Sequence, residues 1–238
     1  MSAKSVQPRD WDSHPPLFYP DYKSTGLRAP KQPLVKIAPG LSELTGPRYA
    51  GPPLDALEAD LTRNGRRNGE PLGERIVVTG RVLDETGAPI PHTLVEIWQA
   101  NAAGRYVHVV DQHDAPLDPN FIGAGRCLTD GNGVYRFLTV KPGAYSWRNH
   151  PNAWRPNHIH FSLLGPAIAS RLVTQMYFPG DPLMQYDPIF LGVPEAARER
   201  LVSRISLDVT EPEYALGFVF DIVLRGAQGS TGGTPFES

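Results

Sequence analysis

Apolar and polar residues alternate with a period of two from Glu74 onward, as they do in half-buried β-strands. The clearest case is 76–82, and the same criteria predict strands over 93–99, 126–128, 134–140, 158–164, 172–178 and 216–225. Residues 130–133, Asp-Gly-Asn-Gly, are typical of a hairpin turn between two of these strands. The pattern predicts an all-β fold: an antiparallel β-sandwich with long loops, an extended N-terminal arm and one or two short helices.

Two short segments have helical spacing instead. Residues 54–64 place Leu54, Leu57 and Leu61 on one helical face, and Gly65 follows the end of the segment. Residues 194–201 begin with a proline, which favours the first turn of a helix.

The first 53 residues have no periodicity and are dense in proline, which excludes helices and central strands there. A solvated tail has no need of apolar residues such as Trp11, Tyr22 and Ile37. We therefore expect an arm that lies on the domain or on a partner chain. The predicted organisation is an arm with a short helix over 1–73, a β-sandwich domain over 74–226 and a frayed tail over 227–238.

The composition of the chain excludes several kinds of partner and several kinds of metal site. The chain has 238 residues and a net charge of −2, which gives no electrostatic reason to expect nucleic acid or an anionic membrane as partner. A single cysteine, Cys127, excludes an intrachain disulfide and a zinc-thiolate or iron–sulfur cluster built within the chain. No apolar run is long enough to cross a membrane or to form a signal peptide, so a cytoplasmic location is predicted.

Two of the seven histidines have ligand spacing. In a strand, His158 and His160 point to one face while Ile159, Phe161 and Leu163 point to the other and anchor the strand in the core. The pair could share a metal ion, or could be polar residues on a solvated face. Residues 149–164 contain no Asp or Glu, which argues against a two-histidine, one-carboxylate Fe(II) site.

Tyrosine is the remaining ligand type near these histidines. Ionising a tyrosine at pH 7 costs roughly 4 kcal/mol, which a bound trivalent cation can offset. A mixed His and Tyr site would therefore favour Fe(III) over Zn(II) or Fe(II). Spacing alone does not choose among the nine tyrosines.

Several motifs resemble those of one enzyme family. Residues 145–160, YSWRNHPNAWRPNHIH, are similar to the signature of the intradiol ring-cleaving dioxygenases. The stretches 96–106, 117–121 and 125–131 resemble the same family, and 14–24 and 220–226 resemble one of its members in particular. The resemblance covers roughly 10–226.

The resemblance implies a catalytic domain over 74–226 with a non-haem Fe(III) held by Tyr106, Tyr145, His158 and His160. It implies that protocatechuate reacts with O2 and is opened between its two hydroxylated carbons to 3-carboxy-cis,cis-muconate. It also implies a homologous α chain as obligate partner in an αβ hetero-oligomer.

Further roles follow from the same resemblance. Arg155 corresponds to a catalytic arginine that stabilises charge on the substrate ring, and Pro156 separates it from the histidine strand. Tyr145 is the ligand that leaves the iron and acts as a base. The substrate-binding assignments are Tyr22 to the substrate carboxylate, Trp147 and Ile189 to the pocket walls, and Gln175 to the orientation of the arginine. Trp98 lies either near the site or in the core.

Two alternatives remain at this stage. A catechol or hydroxyquinol 1,2-dioxygenase would use the same ligands, but the helical N-terminal dimerisation segment of those enzymes does not suit a proline-broken start. A non-catalytic transthyretin-like β-sandwich module is suggested by residues 80–95. Such a module would be colourless, whereas tyrosinate–Fe(III) charge transfer should give a red-brown protein.

Overall fold

The computed structural model describes residues 13–35, 53–84, 86–111, 113–164 and 171–224. The predicted tail over 227–238 lies outside the described residues, as do the parts of the arm that contain Trp11 and Ile37.

The described residues form eleven strands. They are β1 (Arg75–Asp84), β2 (Leu94–Trp98), β3 (Ala124–Leu128), β4 (Val134–Val140), β5 (Tyr145–Ser146), β6 (Trp154–Arg155), β7 (His158–Leu164), β8 (Leu172–Tyr177), β9 (Arg204–Ile205), β10 (Leu216–Val219) and β11 (Ile222–Leu224). Every predicted strand is present, and β4 and β7 have the predicted bounds. The strand predicted over 216–225 is divided into β10 and β11, because the Asp221 carboxylate accepts a hydrogen bond from the Arg81 amide (2.8 Å) where the ladder would continue.

The strands form two main sheets and a small hairpin. One sheet has β1 at its centre, paired with β4, β10 and β11, and β9 pairs with β10. The second sheet has the order β3-β2-β7-β8, and β5 pairs with β6 alone. The predicted antiparallel order is wrong for two pairs: β10 and β11 both run parallel to β1, because the long connection after β8 returns the chain in the direction of β1.

The core lies between the two main sheets, which confirms the predicted β-sandwich. Phe137 of β4 and Phe161 of β7 meet across it with ring centroids 5.9 Å apart. Ile159, Phe161 and Leu163 are all fully buried in this core. Since alternate side chains of a strand point to opposite faces, this anchor forces the two histidines of β7 onto the outer face of the sheet.

Helices are short. The α-helices are α1 (Thr25–Arg28), α2 (Pro188–Leu191) and α3 (Glu195–Arg198), and the 3-10 helices are Ala56–Ala59, Pro182–Tyr186, Glu199–Leu201 and Leu207–Val209. The helix predicted over 194–201 is confirmed as α3 and the 3-10 turn that follows it. The helix predicted over 54–64 is reduced to Ala56–Ala59, because the Leu61 amide bonds to the Leu138 carbonyl of β4 (2.8 Å) instead of continuing the helix.

Within its described residues, 13–35, the arm contains one helical turn that the proline argument excluded. α1 falls in the proline-free stretch 21–29, where the Thr25 side chain accepts a hydrogen bond from the Tyr19 amide (3.0 Å). The described part of the arm lies on the domain, as predicted, although Leu34 and Val35 are exposed. None of the described helices has the length and hydropathy needed to cross a membrane.

Candidate metal centre

The outer face of β7 presents two imidazoles side by side. His158 is 1% exposed and His160 is 9% exposed, and their ring centroids are 4.8 Å apart. His158 Nδ1 lies 2.7 Å from the Pro156 carbonyl oxygen, which can only accept a hydrogen bond. The proton is therefore on Nδ1, and the Nε2 lone pair of His158 is available to a metal ion.

Burial, the Arg155 cation and His160 together lower the pKa of His158 well below its ordinary value, against the opposing effect of the Pro156 carbonyl. A histidine must be neutral to bind a metal, so this environment suits a ligand.

Two phenolic oxygens face the two imidazoles. The Tyr145 hydroxyl lies 3.4 Å from His158 Nε2, and the Tyr106 hydroxyl lies 3.1 Å from His160 Nε2. The two phenol rings meet edge to face at 5.4 Å. All four residues that the sequence assigned to the metal are thus brought together, although their separation along the chain reaches 54 residues.

This donor set fits a ferric ion. Within the described residues, no group of three or more His, Cys, Asp or Glu side chains could hold a metal ion. Any metal at this site therefore depends on the two tyrosine oxygens as well as the two imidazoles. Tyrosinate is a hard anionic donor, and two of them offset most of the charge of a trivalent cation.

A tightly bonded loop positions Tyr106 after β2. The Asn101 side-chain oxygen accepts hydrogen bonds from the Ala103 and Arg105 amides, both at 2.9 Å. The Asp111 carboxylate then accepts one from the Tyr106 amide (2.7 Å). These bonds satisfy the backbone polar groups of a loop that has no sheet partner, so Tyr106 is held without a strand of its own.

Tyr145 and Arg155 are opposite each other in the β5–β6 hairpin. Pro156 ends β6 before β7 begins, which lets Arg155 sit on the same side as the histidines despite the odd spacing between them. The hairpin thus carries one metal-ligand candidate, Tyr145, and the predicted catalytic arginine, Arg155, on directly paired residues.

Arg155 is 4% exposed and is surrounded by acceptors. Its Nε donates to the Asp187 carboxylate (3.3 Å), and its Nη2 donates to the Gln175 side-chain oxygen and to the Tyr177 hydroxyl (3.4 Å). Burial alone would disfavour the cation, but the Asp187 carboxylate and the nearby tyrosines raise the pKa of Arg155 well above its ordinary value. The Gln175 bond agrees with the orienting role expected from the sequence.

The indole of Trp98 stacks on His160 with ring centroids 4.8 Å apart and an interplanar angle of 9°. Trp98 and His160 are also register partners in β2 and β7. Trp98 therefore belongs to the site, which settles the question that the sequence left open.

An open cavity of about 1190 Å³ lies over this cluster. Tyr106, Tyr145, His160, Trp98 and Trp147 are among the residues that line it. The cavity is large enough for an aromatic ring, and three of the four candidate ligands, Tyr106, Tyr145 and His160, line it.

Tyr22 and Ile189 lie behind the cavity wall. Both are buried and form a small apolar cluster against which Trp147 packs. The Tyr22 ring meets the Trp147 indole edge to face at 5.5 Å. Trp147 lines the cavity whereas Tyr22 and Ile189 do not, so in this arrangement the two support the wall of the pocket through Trp147.

The sequence interpretation missed Asp187 and Tyr177. The single proton of the Tyr177 hydroxyl lies between two acceptors, the Asp187 carboxylate (3.1 Å) and the Gln175 oxygen (3.0 Å). A signal for Asp187 existed, since aspartate followed by proline is typical of a helix start, but it does not reveal the buried arginine. Tyr177 could have been found from its two-residue spacing from Gln175 on β8.

Two family models match the chain. The model described as "Dioxygenase" matches residues 44–226, and the model described as "Protocatechuate 3,4-dioxygenase beta subunit N terminal" matches residues 7–39.

Similar proteins are consistent with these models. The chain is 66% identical over 236 residues to the protocatechuate 3,4-dioxygenase beta chain of Burkholderia cepacia, covering 99% of each sequence. It is 32% identical over 172 residues to a hydroxyquinol 1,2-dioxygenase of Rhizobium sp. (strain MTP-10005), covering 66% of this chain and 54% of that protein.

Among solved structures, catechol 1,2-dioxygenase from Pseudomonas arvilla C-1 aligns with a TM-score of 0.52 at 25% identity, covering 79% of this chain and 63% of that one. The structure of 3-chlorocatechol 1,2-dioxygenase from Rhodococcus opacus 1CP aligns with a TM-score of 0.56 at 24% identity, covering 76% and 71%.

Proposed function

Because the chain belongs to the family of intradiol ring-cleaving dioxygenases, we propose that it cleaves protocatechuate with O2 to 3-carboxy-cis,cis-muconate. The observation that carries the proposal is the convergence of two imidazole nitrogens and two phenolic oxygens beside a cavity that Tyr106, Tyr145 and His160 line. The choice of protocatechuate rests on the 66% identity, over nearly the whole chain, to a protein named for that substrate.

Tyr106, Tyr145, His158 and His160 are the residues that would hold a non-haem Fe(III). When bound, the ion would supply Lewis-acid and one-electron redox chemistry toward a catechol and O2. The neutral state of His158 and the anionic character available to two tyrosines support this assignment.

The chain's own residues have separate tasks around the substrate. Tyr145, as a phenolate, accepts a proton from a substrate hydroxyl at its own oxygen. Arg155 remains cationic at neutral pH and stabilises negative charge that develops on the ring. Gln175 holds the guanidinium in place, and Trp147, whose ring lies 5.6 Å from the Arg155 carbon Cζ, forms a flat wall beside it.

Tyr22 and Ile189 would set the shape of the pocket from behind Trp147. The direct contact of Tyr22 with the substrate carboxylate, expected from the sequence, would require Trp147 or the arm to shift from the arrangement described above. We retain this contact as part of the proposal, to be tested by a Tyr22→Phe variant with protocatechuate and with catechol.

A homologous α chain is the proposed partner, because the similar protein from Burkholderia cepacia is named a beta chain. The division into an arm over 1–73 and a catalytic domain over 74–226, and the cytoplasmic location, also remain proposals.

An anaerobic titration tests the function. Purified protein should be red-brown, should change its spectrum on adding protocatechuate, and should form 3-carboxy-cis,cis-muconate when O2 is admitted. Catechol serves as the matched comparison, since it lacks only the carboxylate. A colourless, iron-free protein would refute the metal site. A stronger spectral response to catechol or hydroxyquinol than to protocatechuate would identify the activity as that of a 1,2-dioxygenase. The non-catalytic module has no support from the relatives named above.

A further inference from the structure

Asp187 is a fully buried carboxylate at the start of α2, with 0% exposure. Its two oxygens have different partners. Oδ2 accepts from Arg155 Nε (3.3 Å) and from the Tyr177 hydroxyl (3.1 Å), whereas Oδ1 accepts from the Ile189 amide (3.1 Å). One side chain therefore joins the arginine of the hairpin, the tyrosine of β8 and the helix that carries Ile189.

The carboxylate is also the charged partner of a buried cation. Arg155 and Asp187 form an ion pair whose side chains are 5% and 0% exposed, and the other two hydrogen-bond partners of Arg155 are neutral. A buried guanidinium without a counter-charge is costly, so it would move toward water or toward another anion.

We propose that Asp187 is a positioning residue, whose carboxylate fixes the Arg155 guanidinium and the Ile189 helix as one unit beside the metal ligands. This inference rests on the proposed role of Arg155 in ring cleavage. It extends that role by naming the group that determines where the guanidinium stays while substrate enters and leaves.

Substitution by asparagine separates the two tasks of Asp187. Asparagine is as good a helix N-cap as aspartate, so the bond to the Ile189 amide can persist. The charge that holds the guanidinium is lost. A role limited to capping α2 predicts no effect, whereas a positioning role predicts a displaced Arg155.

The experiment uses the native iron-containing protein with its partner chain. Asp187→Asn should retain its iron and its visible spectrum and bind protocatechuate anaerobically with unchanged affinity, while kcat falls by about 10- to 100-fold. A crystal structure of the variant should show the guanidinium moved from its position beside Gln175. Asp55→Asn is the matched control, because Asp55 caps the 3-10 helix Ala56–Ala59 far from the arginine, and it should leave kcat unchanged.

A double-mutant cycle identifies the route of the effect. If Asp187 acts through Arg155, adding Asp187→Asn to Arg155→Ser should lower kcat little further, because the group being positioned is already gone. Losses that multiply, wild-type kcat in Asp187→Asn, or an unmoved guanidinium in the variant would each overturn the inference. If Asp187→Asn does not accumulate as folded protein, Asp187→Glu replaces it, because glutamate keeps the charge but displaces it by one methylene. Wild-type kcat in Asp187→Glu would also overturn the inference.

The two proposals fail in different ways. If the unsubstituted protein cleaves no catechol, the proposed function is wrong, and the crystal structure of Asp187→Asn still decides whether the carboxylate sets the position of Arg155.

Discussion

At the scale of single residues, the site places a histidine that must be neutral to bind a metal beside tyrosines that bind a metal as anions. His158 must be neutral, and its burial next to Arg155 keeps it so. The proposed ferric ion would require Tyr106 and Tyr145 as anions, and the Arg155 cation interacts favourably with a negative charge on either of them. One buried cation thus serves both ligand types.

Removing one ligand should lower the iron content. We expect His160→Ala to bind much less iron than the unsubstituted protein, because three donors remain where four converge. Iron analysis and the visible spectrum of the purified variant measure this. His92→Asn is the control, since His92 is exposed and has a positive φ of 56° that asparagine tolerates. Full iron occupancy with unchanged colour in His160→Ala would refute the ligand assignment.

Tyr145→Phe removes a base but leaves the ring that packs near His158. We expect the fold to persist and substrate binding to the iron-containing fraction of the protein to slow by about 100-fold, the usual contribution of a positioned acid or base. Stopped-flow mixing with protocatechuate in the absence of O2 gives the rate. Unchanged binding kinetics would show that Tyr145 accepts no proton from the substrate.

At the scale of elements, the shared face of the two histidines could be predicted from the pattern and the position of the tyrosines could not. His158 and His160 share a strand whose apolar residues fix its orientation, so a period of two was enough. Tyr106 depends on a loop whose shape comes from Asn101 and Asp111, and no periodicity encodes such bonds. Only the resemblance to a family identified that residue.

Gly104→Ala tests the loop that carries Tyr106. Gly104 has a φ of +81°, and a Cβ atom there would lie 2.2 Å from the Ala144 carbonyl oxygen, next to Tyr145. We expect a loss of stability of more than about 1–2 kcal/mol, the cost of a left-handed alanine alone, together with a loss of iron. Gly180→Ala is the matched control, because Gly180 has a similar φ of +76° but nothing within 4 Å of its Cβ position. Equal losses of stability and iron in the two variants would mean that the contact with Ala144 is unimportant.

Glu58→Gln tests how the 3-10 helix is attached to β3. The Arg126 side chain, which hydrogen-bonds to Glu58 at 2.5 Å, lowers the pKa of the Glu58 carboxyl. Because the folded-state pKa is lowered, the ion pair stabilises the protein above the unfolded-state pKa and is lost as pH falls through the folded-state value. We expect Glu58→Gln to reduce the free energy of unfolding by up to about 1 kcal/mol at pH 7. Denaturant unfolding should show the difference disappearing in acid, and a difference that grows in acid would contradict the ion pair.

At the scale of the whole molecule, the arm and the β5–β6 hairpin are fastened together. The Asn149 side chain accepts from the Lys23 amide (2.9 Å) and donates to the Asp21 carbonyl oxygen (2.6 Å). The two bonds place Tyr22 against Trp147, which lines the cavity. Hydropathy indicated that the arm would be packed, but a pair of hydrogen bonds 126 and 128 residues apart in sequence leaves no local pattern from which its location could be predicted.

Asn149→Ala should loosen the arm without touching a ligand. We expect iron to be retained and the KM for protocatechuate to rise, because the wall formed by Trp147 loses its support. Limited proteolysis in the arm should speed up, and steady-state kinetics should show the KM change. Asn132→Ala is the control, since Asn132 is an exposed residue of the turn between β3 and β4. If proteolysis shows that the arm is released while the KM is unchanged, the arm does not support the pocket.

The four ligand candidates depend on different parts of the fold. The histidine pair depends on the pairing of β7 with its two neighbours, whereas Tyr106 depends on the loop after β2 and Tyr145 on the β5–β6 hairpin. A chain in which only the sheet had formed would offer a ferric ion two nitrogens. The complete proposed site would therefore require the loop and the hairpin to be in place before the ion binds.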